Sequence, residues 1–141
     1  CLETVLSGPA LQRRVQNEVE AGVRTELAEA LSQAPKIFFD TLERLHTTGK
    51  DAYAITVAEE FLDRCAWALS VVASTQNPDL VVLGGYGLVG RTTWRDRIGV
   101  LAKSKILHGE HSSLRLEFPR STPLEHLRRL AENAILNQTP L

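Results

Sequence analysis

Apolar residues recur at helical spacing along most of the chain. Leu11, Val15 and Val19 fall at i, i+4 and i+8 before Gly22, which predicts a short helix with one buried stripe. Ser7-Gly8-Pro9 is its start signal, because proline at the first helical position has the right φ and gives up an amide that would lack a helical partner anyway. Thr25 is placed to cap a second helix through about Ala34. Pro35 begins a third, PKIFFDTLERLH, with Ile37, Phe38, Leu42 and Leu45 on one side and Thr47-Thr48-Gly49 at its end. The strongest run extends from about Asp51 to Thr75: Ala54, Ile55, Ala58, Phe61, Leu62, Cys65, Leu69, Val72 and Ala73 keep helical spacing. Val57, Trp67, Ala68 and Val71 widen that stripe, which predicts a core helix covered on two sides with Trp67 inside. Asn77-Pro78 stops it, since the residue before proline is pushed out of the α region.

The pattern then changes. Asp79 to Leu83 is a continuous apolar run between turn residues, the form of a strand buried on both faces of a parallel sheet. Glycines follow, and then RTTWRDRIGVLAKSKIL, a helix candidate with Trp94, Ile98, Leu101 and Ala102 on one face, Trp94 packing it onto the sheet and Gly99 as a cost. SLRLEF alternates and predicts a second strand. Thr122-Pro123-Leu124-Glu125 matches a capping box, and Leu124, Leu127, Leu130, Ala131, Ala134 and Ile135 complete an amphipathic last helix. The expectation is one helix-rich α/β unit with about two parallel strands: a helical layer over residues 1–76 and a βαβα unit over 77–141. Two parallel strands leave both outer edges unpaired, so companion strands are expected from further sequence or another chain.

Composition narrows the function classes. The 141 residues carry sixteen Lys+Arg against seventeen Asp+Glu, a net charge of -1, so no global field favours nucleic acid or an anionic membrane. The longest nearly apolar run, Leu80 to Gly90, is far below the ~20 residues of a spanning helix and is broken by glycines. No cationic segment precedes an apolar one in the manner of an export signal. Two cysteines, Cys1 and Cys65, the latter inside an apolar helical pattern, suit a reducing cytoplasm better than a disulfide scaffold. The chain opens on Cys1, contains no methionine and starts in what reads as structured sequence, so a longer parent protein is expected. His46, His108, His111 and His126 lack metal-ligand spacing with cysteines and read as surface loop residues; Ser112-Ser113 has no nucleophile-elbow context.

Gly85-Tyr86-Gly87-Leu88-Val89-Gly90 satisfies G-x-G-x-x-G between a strand and a helix, and Glu117 ends the next strand where a ribose-binding acid would stand. A dinucleotide fold needs several more βα units than this chain has room for. A more general reading is that backbone amides at the strand-to-helix junction face a ligand at the sheet's carboxyl edge. Arg91, Arg95, Arg97, Lys103 and Lys105, with Asp96 the only acid among residues 91–105, make phosphate a plausible neighbour. A tight turn backed by a solvated basic helix carries the same pattern.

CLETVLSGPAL resembles the segment that closes the zinc-binding motif of the ROK family (repressors, open reading frames and sugar kinases), with Cys1 at its last cysteine and Glu3 at its glutamate. The order of later features is similar as well: a helical stretch, the junction TTGKDAYA, a long helix, and NPDLVVLGG in place of the family's Pro-Asp/Glu, apolar strand and Gly-Gly. The resemblance covers roughly residues 1–90. It implies a partial actin-like ATPase (ribonuclease H-like) C-terminal lobe of a sugar kinase or sugar-responsive repressor, with ATP and Mg as cofactors. Cys1 would be one ligand of a structural zinc and Glu3 would accept hydrogen bonds from sugar hydroxyls; a free thiol and a solvent-facing acid are the plain alternatives. Gly84, Gly85 and Gly87 would line the adenine side of the nucleotide site. The family's Asp-x-Gly-Gly-Thr strand and catalytic aspartate lie upstream of the zinc motif, so the chain contains no catalytic residue. Its last helix, STPLEHLRRLAENAIL, departs from the family's Ala-Gly-x-x-Gly-Ala segment. The expected whole is a cytoplasmic homo-oligomeric kinase for a hexose or N-acetylhexosamine. A sugar-sensing regulator with a separate DNA-binding domain, and a scaffold dimerising through Asp51–Thr75, are the alternatives.

Overall fold

The structure is a computed structural model, and it describes residues 6–106 and 115–117. In chain order the elements are α1 (Gly8–Glu20), a 3-10 turn (Glu26–Ala30), α2 (Pro35–Thr48), α3 (Ala52–Gln76), β1 (Leu80–Val82), α4 (Thr92–Lys105) and β2 (Arg115–Glu117). The chain is helix-rich, with two parallel strands in one sheet among the described residues. No helix among these residues is long and apolar enough to cross a membrane. Leu124 and the other residues of the expected last helix lie outside the described residues.

Local signals account for the helix ends. Ser7 Oγ accepts the Ala10 amide at 3.3 Å with Pro9 in the first turn, and the stripe behind it buries Leu11 and Val15. Gly49 closes α2 in the left-handed conformation at φ 68°, its amide donating to the Leu45 carbonyl. Asn77, at φ 45°, does the same for α3 by donating to Ala73.

Between α1 and α2 the helix expected from the Thr25 cap through about Ala34 is a five-residue 3-10 turn. Thr25 does cap it, accepting the Leu27 amide at 3.1 Å, but its hydroxyl also donates to Asp51 Oδ2 at 2.6 Å. Asp51 in turn accepts the amides of Ala54, at the start of α3, and Glu26, both at 2.9 Å. One buried carboxylate therefore serves two helix starts. Burial alone would raise its pKa; the Thr25 hydroxyl and these amides overcome that and hold it below the usual carboxylate range.

Phe38, Phe39, Leu42 and Leu45 of α2 pack with Ala54, Val57, Ala58, Phe61 and Leu62 of α3 as the core. Ile37, expected on that face, is exposed, and Phe39 takes the inward position. α4 brings Trp94, Ile98 and Ala102 to the same core, where a side chain the size of Ile98 contributes about 1.5–3 kcal/mol by leaving water. Trp94 stacks at a tilt on Phe61, 5.8 Å between centroids, so it packs α4 onto α3 rather than onto the sheet. Trp67 is 54% exposed and not in the core: the buried residues of α3 lie on the opposite, wide arc, which α2 and α4 cover.

Leu80, Val81 and Val82 pair in register with Arg115, Leu116 and Glu117. Val81 and Leu116 pack against the core, with Gly99 of α4 beside the Leu116 side chain. Leu80 and Val82 point the other way and are exposed, Val82 at 58%. The strand expected to be buried on both faces is therefore covered on one. A parallel pair normally has both faces covered and both edges paired, so this sheet is an incomplete one as described.

Candidate functional site

Beyond Val82 the chain still belongs to the sheet through the Leu83 amide, which donates to the Glu117 carbonyl at 2.9 Å. Gly84 and Gly85 then leave it. Gly85 has φ 112°, a conformation side chains rarely adopt, and its carbonyl accepts the amides of both Leu88 and Val89 at 3.0 Å. The result is one tight turn over residues 85–90, so α4 starts at Thr92 and not at the glycines. Gly87 is required for a different reason: a Cβ there would stand 2.9 Å from two ring atoms of Phe39 and 3.0 Å from Phe61. The turn lies directly on the aromatic surface of α2 and α3.

Beside it is a cavity of about 460 Å³. Gly84, Gly85, Tyr86 and Gly87 form one wall, Pro35 and Phe39 of α2 a second, and Phe61, Cys65 and Ala68 of α3 a third, with Leu6 to Pro9 at the start of α1 closing it. All three glycines expected from the resemblance meet there. Among the described residues no Asp, Glu, Lys, Arg or His side chain lines it. Such a space receives a flat or compact apolar group with hydrogen bonding left to the backbone. The described lining offers phosphates and Mg no charged partner. Burial pushes the Cys65 thiol up to about 12, so in the closed site at neutral pH it is a protonated wall atom that reacts slowly.

The basic stretch after the glycines serves the fold. Arg91 is buried, with Nη2 donating to Asp40 Oδ1 at 2.7 Å, Nη1 to the Val89 carbonyl at 3.3 Å, and Nε 3.6 Å from Glu43 Oε2. Its guanidinium lies 5.8 Å from the Trp94 ring centre. Arg97 reaches Glu59 at 3.0 Å and Lys105 reaches Asp63 at 2.8 Å, both across to α3, while Arg95 contacts Asp96 at 3.1 Å. Within the run that made phosphate a plausible neighbour, Arg91 already has its charge paired by the α2 carboxylates of Asp40 and Glu43.

His46 is not a loop histidine either. It lies in α2, where Trp94 Nε1 donates to its Nδ1 at 3.2 Å; Nε2 therefore carries the proton and donates to Glu59 Oε1 at 3.0 Å. Burial would raise the Glu59 carboxyl, but His46 and Arg97 together hold it below its ordinary range. Cys1, Glu3, His108, His111 and His126 lie outside the described residues. Among the described residues no group of three His, Cys, Asp or Glu side chains could hold a metal ion, so they offer zinc no site. No protein-family model matches the chain, and no curated protein matches it at a significant level.

Proposed function

We propose that this chain supplies the nucleotide-facing part of the C-terminal lobe of a ROK-type, ATP-dependent sugar kinase. The observation that carries the reading is the convergence of Gly84, Gly85 and Gly87 on one apolar cavity at the carboxyl end of a parallel strand. Open α/β sheets bind ligands at that edge, and a purine ring suits walls made of Phe39, Phe61, Tyr86 and glycine backbone. On this reading the chain holds the ring, and phosphates and Mg are held by residues elsewhere in the complete protein. Phosphoryl transfer to a hexose or N-acetylhexosamine would rest on an upstream aspartate as base and on positioning of the γ-phosphate. Glu3 would contact the sugar and Cys1 the zinc. Incomplete coverage of the two-stranded sheet is consistent with a lobe whose companion strands lie outside the described residues.

A sugar-sensing regulator of the same family is the second reading. The uncharged wall among the described residues favours it, because a sensor needs no grip on a triphosphate. Calorimetry of the complete protein with ATP and Mg and a panel of hexoses and N-acetylhexosamines separates the two. The kinase reading expects saturable ATP binding and sugar-dependent ADP release. Sugar binding with no nucleotide binding transfers the assignment to the regulator, and binding of neither defeats both.

A further inference from the structure

Two side chains hold the glycine turn onto the aromatic floor: Leu88, buried in the core, and Arg91, the polar one. Arg91 leaves the turn at the first residue before α4, is almost fully buried, and contacts the turn, α2 and α4 at once through residues that stand just behind the cavity lining. Nη1 binds the Val89 carbonyl inside the turn, Nη2 binds Asp40 on α2, and the guanidinium plane stands over Trp94 on α4. Asp40 follows Phe39 directly, and the Phe39 ring is the surface against which Gly87 closes. The distance between roof and floor is thus set one residue away from where they touch.

The chemistry of this contact suits positioning. A planar guanidinium offers five donors in a fixed fork, so it defines direction as well as distance, which a lysine ammonium does not. Arg91 Nε has no hydrogen-bond partner, since Glu43 Oε2 at 3.6 Å is beyond reach. A buried donor left unpaired costs free energy, and the arrangement keeps it because the other two contacts require that orientation. Asp40 is 44% exposed, so the pair is not sealed, and its contribution falls on the turn's position more than on overall stability.

We propose that Arg91 is the positioning residue of the cavity, a clasp that holds the turn over residues 85–90 at the separation a ring needs. This rests in part on the nucleotide reading, but it has a readout that does not: Cys65 lines the cavity, and its alkylation rate reports how often the roof lifts. The experiment measures iodoacetamide labelling of Cys65 by peptide mass spectrometry in the full chain, with ADP affinity measured beside it. Arg91→Gln is expected to label about 10-fold faster than wild type, and Arg91→Lys to fall between them, because charge without the fork restores only part of the geometry. Arg14→Gln, which removes an ion pair to Glu60 away from the cavity, is expected to leave the rate unchanged. If Arg91→Gln does not fold, Asp40→Asn carries the test, with about a 5-fold increase expected. Cys65 labelling at the wild-type rate in the folded variant overturns the clasp. Equal acceleration by Arg14→Gln also overturns it, since the effect would then be general loosening. Should wild type bind ADP, Arg91→Gln is expected to weaken it about 10-fold; unchanged ADP affinity in that variant overturns the positioning role. Wild type that binds no ADP defeats the nucleotide reading and leaves the labelling result to decide the clasp.

Discussion

The two sides of the cavity are made in opposite ways. On the helical side, Phe39 and Phe61 are buried, lie 5.4 Å apart between ring centres, and belong to helices whose caps and stripes lie within a few residues of each other. On the turn side, two glycines at positive φ and a third without room for a methyl shape the backbone, while Leu80, Val82 and Tyr86 remain exposed. Redundant contacts hold the first; the second rests mainly on the buried Leu88 and Arg91. Among the described residues the helical side is a closed core, and the strand side is covered on one face only.

Substitutions can break that contrast, and their effects should descend from the floor outward. Phe39→Ala removes a ring touching Phe38, Phe61 and the turn, and should cost about 3–5 kcal/mol in denaturant unfolding. A loss under 1 kcal/mol would mean the floor is looser than described. Gly87→Ala forces a methyl against that ring and should cost about 1–3 kcal/mol while closing part of the cavity, so ADP affinity should fall with stability.

Asp51→Ala, which uncaps two helix starts at once, should cost about 1–2 kcal/mol near neutral pH. Because the folded carboxyl titrates below its unfolded value, the stabilisation is complete above the unfolded pKa of about 3.9 and disappears as pH falls through the lower, folded value. The gap between wild type and variant should therefore close at acid pH, as followed by urea midpoints across that range. A constant gap would remove the carboxylate's charge from the explanation. Val82→Thr, on the uncovered sheet face, should shift stability by no more than about 0.5 kcal/mol in this chain.

The helices were legible because their information is local: Ser7, Gly49 and Asn77 stand next to the turns they close, and stripes such as Phe38, Leu42 and Leu45 follow from spacing alone. Parallel pairing of the two strands was legible in the apolar run and the helix between them. The 3-10 turn was not, because the acid that anchors Thr25 is 26 positions away. Nor was the exposure of Trp67, since periodicity marks a stripe and not the neighbour that covers it. At the site, position after a strand was enough to single out the glycines. The walls opposite them, Phe39 and Phe61, read as ordinary core, and Arg91 read as a free cation because its partner Asp40 is 51 residues upstream.

The most direct test of the central reading is amide hydrogen exchange of the complete protein with and without ATP. The account expects slower exchange confined to residues 83–89 and to the Phe61–Ala68 stretch of α3, the two segments that face each other across the cavity. Protection elsewhere with no change at these amides would contradict it.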